Sequence, residues 1–127
     1  MSIPDPAVLN LNLPSTGSWS QELQLLTVPD RQPIKLRGYS FISEAWDVAG
    51  QTLLTPITVQ VVDSQQGRIA LALSSAAVAS LPAESRWELL VVQPSGVKRL
   101  WLLGALHTLD PSASVFTVDV YVEGVFV

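Results

Sequence analysis

From Trp19 onward, apolar side chains recur at every second position in short runs, each closed by Gly, Pro, Asp or Ser. A period of two marks a strand that buries one face. Between Trp19 and Val28, Leu23 and Leu25 share one face, with Glu22 and Gln24 on the other. Pro29-Asp30-Arg31-Gln32-Pro33 then reads as a turn. Gly38 to Asp47 alternates again: Tyr39, Phe41, Ser43 and Ala45 lie on one side, Ile42, Glu44 and Trp46 on the other. After a turn at Ala49-Gly50-Gln51, Leu53 to Val62 is β-branched, with Ile57, Val59 and Val61. Asp63-Ser64-Gln65-Gln66-Gly67 forms the next turn, and Arg68 to Leu73 places Ile69, Leu71 and Leu73 together.

Ser74 to Leu81 breaks the period. It is Ala-rich, opens on two serines that can cap a helix and stops at Pro82, which predicts one short helical turn crossing between sheets. Arg86 to Gln93 is a strand with Trp87, Leu89 and Val91 inward. Lys98 to Leu109 follows the Pro94-Ser95-Gly96 turn and is expected to bend at Gly104. Past Asp110-Pro111-Ser112, Val115 to Val127 supplies a last strand carrying Val118, Val120, Val122 and Phe126. About seven strands at roughly ten-residue spacing predict an all-β antiparallel sandwich or barrel. No strand–helix–strand alternation supports an α/β nucleotide fold. The expected organisation is an extended arm over 1–18, a sandwich domain over 19–111 and a strand extension over 112–127. The arm is rich in Pro, Ser and Asn, interrupted by Val8, Leu9, Leu11 and Leu13.

Composition narrows the function classes. The chain has 127 residues, enough for one domain with a core. It is 48% hydrophobic and 14% charged, too apolar for disorder and apolar enough to leave surface for a partner. The formal charge is −4, and Lys98–Arg99 is its densest basic stretch, so nucleic acid is not an expected partner. The opening Met1-Ser2-Ile3-Pro4-Asp5-Pro6 lacks the pattern of a signal peptide, and no apolar run is long enough for a membrane span.

Candidate chemistry is sparse. There is no Cys and a single His, His107, so neither thiolate nor paired-imidazole metal spacing exists. No Gly-x-Ser-x-Gly elbow accompanies His107, and the glycines are singly placed, unlike a phosphate loop. Asp5, Asp30, Asp47, Asp63 and Asp110 fall mostly in turns, where Asp bonds its own backbone. Glu44 and Glu88 lie in strands and are expected to face solvent or to pair with Arg37 or Arg86. The expectation is therefore a protein that is not an enzyme, with no catalytic residues, cofactor or metal.

Several segments, in order, resemble one family. Pro33-Ile34-Lys35-Leu36-Arg37-Gly38-Tyr39-Ser40-Phe41 is similar to its entry strand. Asp63 with Gly67-Arg68-Ile69-Ala70-Leu71 is similar to its turn and strand, and Ser74 to Pro82 to its short Ala-rich helix. Trp87-Glu88-Leu89-Leu90-Val91, Gly96 and Leu102-Leu103-Gly104 resemble its closing hairpin. Over about Trp19 to Pro111 the chain thus resembles the immunoglobulin-like N-terminal domain of bacteriophage baseplate upper proteins and tail-fibre adaptors. That resemblance implies an immunoglobulin-like β-sandwich, a structural or adaptor role in a phage tail, baseplate or tail fibre, and homo-oligomerisation. It also implies location in the virion after synthesis in the host cytoplasm, with other tail proteins as partners.

Ile42, Trp46, Leu90 and Val92, with Leu103 as a further candidate, depart from the pattern, because outward strand positions are usually polar. Either a second layer of the same chain covers them, such as the C-terminal strand, or they form a subunit interface. Leu9, Leu11 and Leu13 in the arm, and Val120, Val122 and Phe126 in the last strand, are expected to add to a neighbour's sheet edge. Four tryptophans, Trp19, Trp46, Trp87 and Trp101, leave open an alternative role as a carbohydrate- or receptor-binding module at a fibre tip.

Overall fold

A computed structural model describes residues 7–14, 17–27, 31–109 and 118–122. Among these the alternating runs become nine strands and one helix. The strands are β1 (Ala7–Val8), β2 (Leu11–Pro14), β3 (Trp19–Thr27), β4 (Ser40–Trp46) and β5 (Leu53–Asp63). After β6 (Arg68–Leu73) comes the helix α1 (Ser75–Ser80), followed by β7 (Glu84–Val92), β8 (Lys98–Leu109) and β9 (Val118–Val122).

The strands form two layers that share β5. In the front sheet β8, β7, β4 and the first half of β5 are antiparallel neighbours, and β1 and β2 run parallel along the outer edge of β8. In the back sheet the second half of β5, β6 and β3 are antiparallel, and β9 runs parallel to β3. The layers are continuous because β5 pairs with β4 through Leu53–Ile57 and with β6 through Thr58–Asp63. β1 and β9, at the two far ends, approach each other, so the sheet nearly closes on itself. The fold is an all-β, sandwich-like architecture with immunoglobulin-like pairing, an extended N-terminal segment and an extra C-terminal strand.

Alternation decides what lies between the layers. Leu23 and Leu25 of β3 and Ile69 and Leu71 of β6 enter the core from the back, and Trp87, Leu89 and Val91 of β7 from the front. Each such aliphatic side chain contributes roughly 1.5–3 kcal/mol through loss of contact with water. α1 carries the chain between layers as expected. Ser74 caps it by accepting from the Ala77 amide at 3.2 Å, and Val78 anchors it in the core. Gly67 is required where β3 meets the Ile34 segment: its φ is +66°, and a Cβ there would lie 2.6 Å from the Leu25 carbonyl oxygen.

β8 departs from the expected bend. The register shifts opposite Leu89/Leu90, where Leu89 faces Leu102 and Leu90 faces Leu100. Trp101 is the extra residue, and the bulge buries Trp101 and Leu102 in succession. The Trp101 ring sits 5.8 Å from that of Tyr39, centroid to centroid. Gly104 has a different role, described next.

Candidate protein-interaction surface

The N-terminal segment is locked to its own chain. Leu11 and Leu13 are buried in the core and Leu9 packs against it, while the backbone pairs with Leu102 to Leu109 of β8. This corrects the expectation that these three leucines reach a neighbouring subunit. It also makes residues 7–14 part of the sandwich instead of an appended arm. Pattern alone missed this because residues 7–14 present only alternate leucines set among Asn and Pro, a run too short to separate a strand from a polar tail.

The lock is specific. The Leu9 amide donates to the Leu103 carbonyl at 2.9 Å, and the Leu9 carbonyl accepts from the Trp87 indole N–H at 2.8 Å. The Ala105 amide donates to the Asn10 side-chain oxygen at 3.0 Å. Gly104 makes the approach possible, since a Cβ there would lie 1.9 Å from the Leu9 oxygen. A glycine inside a strand pattern is the signal for such an approach.

The outward side chains of the front sheet line up in rows across the strands. One row is Ile42, Leu90 and Leu100. On one side of it stand Ser40, Val92 and Lys98. On the other stand Glu44, Glu88, Leu103 and Val8. Beyond them come Trp46, Arg86 and Ala105. Ile42 is 42% exposed and Val8 69%, while Leu90, Val92, Leu100 and Leu103 are half-buried. The expected grouping of Ile42, Trp46, Leu90 and Val92, with Leu103, on one face is what the structure gives, and Val8 and Leu100 extend it. Arg86 and Glu88 form an ion pair at 4.0 Å on this face, as the sequence suggested.

Of the C-terminal segment, the described strand β9 bears on the first explanation. Val118–Val122 pairs with Leu23 to Thr27 at the edge of the back sheet and does not lie over the front face. The backbone at Val120 and Val122 pairs with Leu25 and Thr27 of the same chain, so β9 is the end strand of the back sheet. Phe126 lies outside the described residues.

The remaining candidates are placed as follows. Trp19, Trp87 and Trp101 are buried and Trp46 is half-buried, so no two tryptophans share an exposed surface of the kind a sugar platform needs. His107 is half-buried on β8, opposite Glu84 and Asn12. Asp47 closes the β4–β5 turn: its carboxylate accepts from the Gln51 amide at 2.8 Å and the Thr52 amide at 3.2 Å. The bond from Gln51, then that from Thr52, hold its carboxyl below the ordinary aspartate range. Burial pushes the Tyr39 hydroxyl up. Ser85 Oγ, Gln93 Nε2 and the Trp46 indole N–H are buried with no hydrogen-bond partner among the described residues. Among the described residues no group of three or more His, Asp or Glu could hold a metal ion, and no helix is long and apolar enough to cross a membrane. No family model and no curated protein matches the chain.

Proposed function

We propose that the chain is a structural module of a bacteriophage tail, baseplate or tail-fibre assembly, acting by protein–protein contact and not by catalysis. The observation that carries this is the outward face of the front sheet, where Ile42, Leu90, Leu100 and Leu103 stand on a surface that no described part of the chain covers. Apolar clusters with aliphatic and aromatic anchors are the centres of protein interfaces. The ordered resemblance over Trp19 to Pro111 supports the phage setting, and the sandwich is the fold that resemblance implies. The partners are other tail proteins and further copies of this chain, and the location is the virion. Co-expression with the products of the genes next to its own, followed by affinity purification and electron microscopy, tests the proposal. A defined complex with one of them is expected. A chain recovered free from every neighbour would overturn it.

A further inference from the structure

We infer that the front face binds a second copy of this chain, face to face about a two-fold axis. The inference deepens the assembly proposal and rests on its claim that this face is a contact surface.

Charge order along the strands carries it. Lys98 stands on one side of the Ile42–Leu90–Leu100 row, and Glu44 and Glu88 stand on the other. Successive outward residues on a strand are about 6.8 Å apart, so each flanking row lies about that far from the apolar one. A two-fold axis running along the Ile42–Leu90–Leu100 row turns one copy over onto the other. It lays the Lys98 row of each copy over the Glu44–Glu88 row of its mate. The apolar rows then meet at the centre. Lys98 is on the strand next to Glu88, and its four-carbon stem spans the offset while keeping the ammonium at the rim. The same surface is used twice, as a two-fold interface requires, and both charge contacts are attractive.

Area is consistent with this. Four strands about 4.8 Å apart, carrying the three outward rows that overlap about this axis, about 6.8 Å apart, give roughly 400 Å² of flat sheet. Side-chain relief raises that toward the lower end of specific interfaces, roughly 600 Å² per partner. The opposite outward face cannot form the same contact. Its rows are Ser20–Ala72–Thr58, Glu22–Ala70–Gln60 and Gln24–Arg68–Asp63, which have no apolar centre.

Sedimentation velocity on the full chain alone, and on two charge variants, tests the inference. One variant is Lys98→Glu; the other combines Glu44→Lys with Glu88→Lys. The unaltered chain should show a concentration-dependent monomer–dimer equilibrium. Each variant alone should dissociate roughly tenfold more readily, because both of its cross-copy contacts become repulsive. An equimolar mixture of the two should regain the original affinity, since the mixed dimer carries two attractive contacts again. Recovery in the mixture also shows that both variants are folded. A chain that stays monomeric at every attainable concentration, or a mixture no tighter than its parts, overturns the inference. Retained binding to a neighbouring gene product in that case leaves the assembly proposal standing and removes only the second copy as occupant.

Discussion

On the back sheet, the outward rows place Ser20 with Ala72 and Thr58, Glu22 with Ala70 and Gln60, and Gln24 with Arg68 and Asp63. On the front sheet the equivalent rows place Ile42 with Leu90 and Leu100, and Leu103 with Val8. The inward faces of the two sheets do not differ in this way: Leu23, Leu25, Ile69 and Leu71 meet Trp87, Leu89 and Val91 in one core. Folding requires the inward alternation on both sheets. It requires nothing apolar on either outward face, and these three rows of the back sheet show that the architecture stands with small and polar side chains in them. The apolar surface on the front face is not one this architecture requires, and the proposed function assigns it to contact with another protein.

Neighbouring positions on β7 give the largest test of this contrast. Leu89→Ala removes a fully buried side chain and should cost about 2–5 kcal/mol in denaturant unfolding. Leu90→Ala, one residue further along, should cost less than about 1 kcal/mol in the isolated chain. Equal losses would mean that Leu90 is part of the core.

The second test concerns the edge that supports the front face. Gly104→Val should dislodge the N-terminal segment, because Leu9 cannot approach a branched side chain. Loss of the Leu11 and Leu13 anchors should lower stability by about 2–4 kcal/mol, and protease should then cleave before Trp19. Trp87→Phe keeps most of the packing but leaves the Leu9 carbonyl without its indole donor. It should cost about 1–2 kcal/mol, readable as a lower urea midpoint with unchanged slope.

Asp47 gives a smaller, pH-dependent effect. Its folded-state carboxyl titrates lower than in the unfolded chain, so its contribution is complete above the unfolded value. That contribution disappears as pH falls through the folded value. Thermal melts should therefore show the unaltered chain losing more stability on acidification than Asp47→Asn does. Parallel curves would contradict the assignment. The smallest effect belongs to Ser85→Ala. Its hydroxyl is buried with no partner among the described residues, so removing it should change stability by less than about 1 kcal/mol, in either direction.

The strands from β3 to β8 were legible because each has one buried face. The runs beginning at Trp19, Leu53, Arg68 and Lys98 start where the sequence pattern puts them, and the Ser74 cap places the helix. Ile42, Trp46, Leu90 and Val92 were legible as outward for the same reason. Three features were not. The register shift at Trp101 exists only relative to β7, so no pattern within β8 reveals it. The division of β5 between two sheets is a matter of partners and not of composition. The docking of Leu11 and Leu13 depends on β8, more than ninety positions away along the chain. Leu100 and Val8 belong to the front face through that bulge and that docking, whereas Leu103 was already a candidate from the strand pattern.

A matched pair of substitutions, one on each outward face, tests the central claim most directly. Leu90→Arg and Ala70→Arg place the same side chain at the middle of the front and back sheets, and both should leave the circular dichroism and melting of the chain nearly unchanged. In sedimentation velocity of the protein, alone and with its co-expressed partner, Leu90→Arg should abolish association and Ala70→Arg should leave it intact. Association that survives Leu90→Arg, or that is lost equally in both variants, would contradict the assignment of the front face as the contact surface.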